Sequence, residues 1–163
     1  MPKAGFWAIG GYKISFRTDG HWYADEEVIG NPRIALLFSR SIRADGKGGW
    51  IVDVGVDRQP VTVTDTALVV LSVRGTPDKG FVVKTNDDVE SELDCSTLAI
   101  GADNVLYCTV DRGERGIFEA RFLRPAYYEL ARWIDDKSGH AALPCKGTRY
   151  PLGRRAAMDA RPS

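Results

Sequence analysis

The sequence predicts an α+β protein: two small domains with a repeated strand/helix motif, mostly antiparallel short strands, and two principal helices. Three observations predict it. A strand feeds a proline-opened helix twice, first at His21-Trp22-Tyr23 before Asn31-Pro32 and again at Phe118 to Phe122 before Pro125. About eight to ten short alternating runs, bounded by turn residues, leave little room for the long crossovers of a doubly wound parallel sheet. Gly75-Thr76-Pro77-Asp78-Lys79-Gly80 is the best linker or hairpin loop and falls near the midpoint. The expected division is residues 1–75, residues 76–138 and a C-terminal tail over 139–163.

The N-terminal elements follow from periodicity and capping. Ile14 and Phe16 alternate with Ser15 and Arg17, Thr18-Asp19-Gly20 supplies a turn, and His21-Trp22-Tyr23 returns as a hairpin strand. Asn31 is a good N-cap and Pro32 suits the first helical position, where its missing N–H costs nothing. The predicted helix spans 31–43, with Ile34, Leu37, Phe38 and Ile42 inward and the glycine-rich run Gly46 to Gly49 closing it. Trp50 to Val56 and Val61 to Val63 read as half-buried strands. Ala67 to Val73 is apolar on both faces, as a centrally placed strand is.

In the second half, Phe81 to Asn86 is a strand that runs into an acidic, exposed connection through Asp94. Leu106, Cys108 and Val110 alternate with Tyr107 and Thr109. Phe118, Ala120 and Phe122 form a strand, and Tyr127, Leu130, Ala131 and Ile134 mark one face of a helix over 125–136. The tail is polar, with Tyr150-Pro151-Leu152 as its anchor and disorder expected beyond Gly153.

Composition excludes several function classes. Twenty-two basic and twenty-two acidic residues balance, against the basic excess of a nucleic-acid binder and against attraction to an anionic membrane. The start, MPKAGFWAIGGYK, lacks the apolar length of a signal peptide, and no run reaches the ~18 apolar residues of a membrane helix. Three cysteines without CxxC spacing make a disulfide framework or a zinc site improbable, and the expected setting is a soluble protein of the reducing cytoplasm.

No catalytic motif stands out. There is no phosphate loop and no G-x-S-x-G elbow; Cys108 has the pattern of a buried core thiol. His21 and His140 lack companions for a metal site, so neither metal nor cofactor is implied.

The candidate binding residues are polar groups beside aromatics at strand ends. Glu119 and Arg121 project from one strand face together with Ile117 and Leu123. Two readings stand: a structural ion pair on a mostly buried face, or Arg121 turned to a cleft to grip an anion bidentately. Arg124 precedes Pro125 at an N-cap position, where it is a poor cap but adds positive charge to a helix N-terminus. Lys84, Thr85 and Asn86 end a strand as a turn, or as donors to phosphate or amide groups. Trp22 and Tyr127 serve as core or as stacking surfaces.

The segments ISFRTDGHWYADEEVIG, PRIALLFSRSIRADGKGGWIV, VTVTDTALVV, FVVKTNDDV and IFEARFLRPAYYELARW occur in order from Tyr12 to Ile134. In this the chain resembles the bacterial domain-of-unknown-function family 1285. The resemblance implies two small α+β domains with a repeated motif. It also implies a nucleotide-like ligand in the interdomain cleft and a signalling role. Arg121, Arg124, Thr85 and Asn86 match the family pattern. The sequence reading is therefore a cytoplasmic signalling module holding a small anionic, nucleotide-like ligand, leaning to a non-enzyme. The alternative is a protein-interaction adaptor without a small-molecule ligand.

Overall fold

The structure, a computed structural model, describes residues 11–137 and 139–156. The N-terminal apolar stretch and residues 157–163, for which disorder was expected, lie outside the described residues. The fold is α+β and mostly strand.

The first sheet contains β1 (Ile14–Phe16), β2 (Trp22–Ala24), β3 (Glu27–Val28), β4 (Ile42–Ala44), β5 (Trp50–Asp53) and β6 (Arg58–Val63), in the order β3-β2-β1-β6-β5-β4. Helix α1 (Pro32–Ser41) connects β3 to β4. Only β1 and β6 run parallel in this sheet; the other pairs are antiparallel.

The β1–β2 turn is set by Asp19, whose carboxylate accepts from the His21 N–H at 2.9 Å and from the Tyr23 hydroxyl at 2.6 Å. Gly20 holds φ +83, and a Cβ there would meet Leu123 and Val69 side-chain atoms at 3.1 Å. Glycine is needed both for the left-handed backbone and for the close approach of this turn to the second sheet. Asn31 caps α1 by accepting from the Arg33 and Ile34 N–H groups. The buried Trp22 ring packs against Phe16 and Phe38 at centroid distances of 4.9 and 5.3 Å.

The first helix ends two residues before the expected limit. Ile42 turns extended, with φ −71 and ψ 141, and starts β4. The glycine-rich run is the β4–β5 hairpin turn, where Asp45 accepts from the N–H groups of Lys47 and Gly49. Pairing with β5 overrides the helical pattern there, and the glycines close a hairpin rather than a helix.

The second sheet has the order β15-β10-β11-β12-β7-β8-β9. Its strands are β7 (Leu68–Thr76), β8 (Gly80–Thr85), β9 (Glu90–Glu92), β10 (Ala99–Ile100), β11 (Leu106–Asp111), β12 (Ile117–Phe122) and β15 (Gly153–Arg154). The loop Gly75 to Gly80, expected near a domain boundary, is the hairpin joining β7 to β8. A Cβ on Gly75 would lie 2.1 Å from the Gly80 carbonyl oxygen, which confines this position to glycine. The chain passes from the first sheet to the second between Val63 and Leu68. β7 is central, as its apolar run predicts, pairing with β12 and β8. Its register shifts between Val70 and Ser72, and Leu71 is 38% exposed beside that irregularity.

Helix α2 (Arg124–Ala131) is shorter than expected. After Trp133 and Ile134 the chain straightens, and Asp135 exchanges two backbone hydrogen bonds with Ala142. The tail is more ordered than its composition suggested. β13 (Ala142–Cys145) and β14 (Thr148–Pro151) form a hairpin across Lys146 and Gly147, both with positive φ. β15, in the region expected to be disordered, pairs in parallel with β10. Leu143 is fully buried. Buried apolar residues of both sheets, with Leu143 and Cys145 of this hairpin, belong to one hydrophobic cluster.

Trp22 ties the hairpin, α1 and this cluster together. Trp22→Ala is expected to lower unfolding free energy by about 3–5 kcal/mol, read by urea denaturation. A loss below 1 kcal/mol would contradict the packing.

Candidate functional site

A buried ionic joint connects the two sheets. Asp87, in the turn after β8, has no exposed surface. Arg112 reaches it through Nε at 2.8 Å and donates through Nη2 to Thr85 Oγ1 at 2.6 Å. Arg115 contacts the same carboxylate at 3.3 Å and donates to the Ser39 carbonyl of α1 at 2.7 Å. Arg40 of α1 donates to the Asp87 backbone carbonyl at 3.1 Å. Burial pushes the Asp87 carboxyl up, but the hydrogen bonds from Arg112 and Thr85 and the two guanidinium charges outweigh it. The net effect is a pKa below the ordinary aspartate value.

Asn86 completes the joint. Its Oδ1 accepts from the Val69 N–H at 2.8 Å and its Nδ2 donates to Ser39 Oγ at 2.8 Å. The same Ser39 oxygen accepts from Trp22 Nε1 at 3.0 Å. Beside this network lies a cleft of about 480 Å³ between β2, β3 and α1 on one side and β7 and β8 on the other. Trp22, Lys84, Thr85 and Asn86 all line it.

A second ionic cluster lies at the other end of the second sheet. Asp65 accepts from the Tyr107 hydroxyl at 2.7 Å and from Arg121 Nη1 at 2.8 Å, and pairs with Arg155 Nη1 at 2.9 Å. Arg155 also grips Glu119 through Nε and Nη2 at 2.8 and 2.7 Å and stacks over the Tyr107 ring at 3.8 Å. Burial and the hydrogen bond to Asp65 push the Tyr107 phenol up to about 12. Burial also works against ionisation of Asp65, but its hydrogen bonds to Tyr107 and Arg121 and the Arg155 charge hold it low.

Next to this cluster is a cavity of about 490 Å³ formed by the Asp103-Asn104 turn, the end of β12 and the start of α2. Arg121, Arg124, Tyr127 and Tyr128 line it together. Leu123 occupies the N-cap of α2 and gives no side-chain cap, so the first free N–H groups of the helix have no side-chain acceptor. Arg124 is exposed and has no ion-pair or hydrogen-bond partner among the described residues.

Comparison with protein families and with curated proteins gives no match. Two solved structures are similar. One is a DUF1285 family protein from Silicibacter pomeroyi DSS-3, with TM-score 0.69 and 18% identity, covering 88% of this chain and 81% of that protein. The other is a DUF1285 family protein from Shewanella baltica OS155, with TM-score 0.57 and 19% identity, covering 74% of this chain and 91% of that one. The fold is that of DUF1285 family proteins. Neither name carries a ligand or a reaction, and at these identities the likeness extends to the fold.

Within this DUF1285 fold the eight candidate residues do not converge on one groove. Trp22, Lys84, Thr85 and Asn86 border the cleft, while Arg121, Arg124 and Tyr127 border the cavity at α2. Glu119 lines neither of these two cavities and is held by Arg155 instead of Arg121. The buried face of β12 is Phe118, Ala120 and Phe122; Ile117, on the Glu119 side, is 70% exposed. Asp87, expected in an exposed acidic connection, is instead the most enclosed charge of the joint. Sequence reasoning missed Asp87, Arg112, Arg115, Asp65 and Arg155. No local signal marked the arginines, since Asp111 and Glu114 balance Arg112 and Arg115 within one turn that reads as an ordinary solvated loop. Among the described residues, no group of three or more His, Cys, Asp or Glu side chains could hold a metal ion.

Asp87→Asn is expected to cost about 3–5 kcal/mol, because it leaves the nearly buried Arg112 guanidinium and the partly buried Arg115 guanidinium short of a counter-charge. Since the folded pKa of Asp87 is depressed, its contribution is present above the unfolded value of ~3.9 and is lost as pH falls through the folded value. Denaturation of both proteins across that acidic range should show the wild type converging toward the variant. Parallel curves would refute the assignment.

Proposed function

We propose that this chain is a DUF1285 family member that works as a binding module for a small anionic, nucleotide-like ligand in a cytoplasmic signalling setting. One observation carries the reading: Arg121 and Arg124 line the same cavity as Tyr127 and Tyr128, and Arg124 has no partner of its own among the described residues. The cavity volume, about 490 Å³, falls in the range of small-molecule sites. Arg121 spends one nitrogen on Asp65, which fixes its guanidinium and leaves its remaining donors for a ligand. The uncapped start of α2 adds positive backbone potential beside them. Tyr128, 61% exposed and edge-to-face with Tyr127 at 5.5 Å, offers an aromatic surface to a planar group.

We also propose that the two sheets are two domains built on a repeated motif. The first contains one parallel strand pair, β1 with β6, and the second contains β7 with β12 besides the short β10–β15 pair, and a proline-started helix accompanies each. The cleft between them, where Lys84 pairs with Asp88 at 3.1 Å, has less uncompensated positive charge than the cavity at α2. The protein-interaction reading draws on Val28 and Leu71, 52% and 38% exposed, which border that cleft as an apolar rim.

A thermal-shift titration with adenosine and guanosine phosphates and cyclic dinucleotides tests the ligand. A true ligand in large excess over its dissociation constant stabilises by ~3–4 kcal/mol. Arg124→Ala should raise the dissociation constant read from that titration tenfold or more without lowering the melting temperature of the free protein, since its side chain has no partner among the described residues. A shift that Arg124→Ala leaves intact, or no shift with any compound, would sink the proposal.

A further inference from the structure

Ser39, on α1 and only 2% exposed, carries a hydrogen-bond donor that the described residues leave unspent. The Trp22 indole, which can only donate, gives its N–H to Ser39 Oγ at 3.0 Å. The Asn86 amide is fixed in orientation because its Oδ1 accepts from the Val69 N–H. Its Nδ2 therefore faces Ser39 Oγ, at 2.8 Å, and donates as well. Both lone pairs of the hydroxyl are filled in this way, and its own O–H has to find an acceptor in a third direction. A helical serine ordinarily returns that proton to the carbonyl one turn back, here Ala35. Ser39 makes no such bond and has no other acceptor among the described residues. A donor buried in this state calls for a partner. Ser39 lines the cleft of about 480 Å³ between α1 and the β7–β8 side.

The walls of the cleft define what else that partner carries. Val28, Ile29, Ala35, Leu36 and Leu71 line it. Exposure falls from 52% at Val28 and 38% at Leu71 on the rim to 2% at Ser39. The lining thus runs from an apolar mouth to a hydroxyl donor on the floor. Lys84, also in the lining, pairs with Asp88 at 3.1 Å, and Arg40 approaches the same carboxylate at 3.9 Å. Lys84 and Asp88 cancel within the lining, so the cleft has no unpaired cation to draw an anion. We propose that this cleft, which shares no lining residue with the cavity at α2, binds a small uncharged carbonyl compound with an apolar chain, of the alkyl amide, ester or ketone class. The carbonyl oxygen accepts the Ser39 O–H, and the chain lies along Val28, Ile29, Leu36 and Leu71. A carbonyl oxygen satisfies a single neutral donor without bringing a charge out of water, which a carboxylate would do. The bond also extends a chain of donors, because Trp22 and Asn86 donate to the oxygen whose proton the ligand takes. Each link polarises the next, so the Trp22 indole N–H senses the ligand.

Titration of the isotope-labelled full chain with hexanamide, followed by NMR, tests this. Saturable shifts are expected at the Trp22 indole N–H and the Asn86 side-chain amide, with the signals of Arg124 and Tyr127 unmoved. Hexanoate, with the same chain length and a charged head, should bind about tenfold more weakly, and hexylammonium, which has no acceptor, should not saturate. Leu71→Gln, a change on the exposed rim, should raise the hexanamide dissociation constant about fivefold and leave the spectrum of the free protein well dispersed. Ser39→Ala should abolish binding. If that variant does not fold, having lost the acceptor that Trp22 and Asn86 share, Leu71→Gln and the three-compound series decide. No saturable shift with hexanamide, equal affinity for hexylammonium, or hexanoate binding as tightly as the amide would overturn the proposal.

Discussion

The buried carboxylate of Asp87 is the constraint on which the arrangement of the two sheets depends. It sits at zero exposure between two guanidinium groups from the β11–β12 connection, and one of these, Arg115, reaches the last turn of α1. A charge in that position is tolerable only while its partners remain. The joint therefore sets the relation between α1 and the second sheet more strictly than apolar contact alone, which tolerates sliding. The aromatic stack of Trp22 on Phe16 and Phe38 meets this polar joint at Ser39, whose hydroxyl receives both the indole N–H and the Asn86 amide.

That joint also sorts the candidate residues. Thr85 and Asn86 have the right chemistry to hold a phosphate, yet their hydrogen-bonding groups are used inside the protein. Arg121 is half-committed to Asp65 and Glu119 is taken by Arg155. Arg124 stands apart because it lies at the start of a short helix with no acidic group paired to it among the described residues. The polar residues therefore divide between those that hold the sheets together and those that line the cavity at α2.

Much of the local architecture was legible before the structure. Asn31-Pro32 marked the start of α1, the apolar run from Ala67 marked the central strand, and the alternation at Phe118 to Phe122 marked β12. Each is a local signal, carried by a cap, by the absence of polar positions or by a period of two. The misreadings were also local. The glycines after Asp45 looked like a helix stop, but a hairpin needs the same backbone freedom. The acidic segment at Asp87 looked solvated because its two arginines lie 25 and 28 positions downstream. The tail looked loose because its composition is polar, while its order comes from pairing with β10 and from Arg155 reaching Asp65 and Glu119.

The sequence by itself determined the α+β class, the two proline-started helices and the residue types able to meet an anion, since propensity, capping and periodicity act over a few neighbouring residues. Only the tertiary structure decided which charges cancel and which remain free. An ion pair such as Arg121 with Asp65 joins positions 56 apart, and the Arg115 bond to Ser39 joins positions 76 apart. Nothing in a local window encodes such distances. Charge balance in this protein is a property of how strands from remote parts of the chain are laid side by side, and so is the standing of Arg124 as a cation at the α2 cavity with no partner among the described residues.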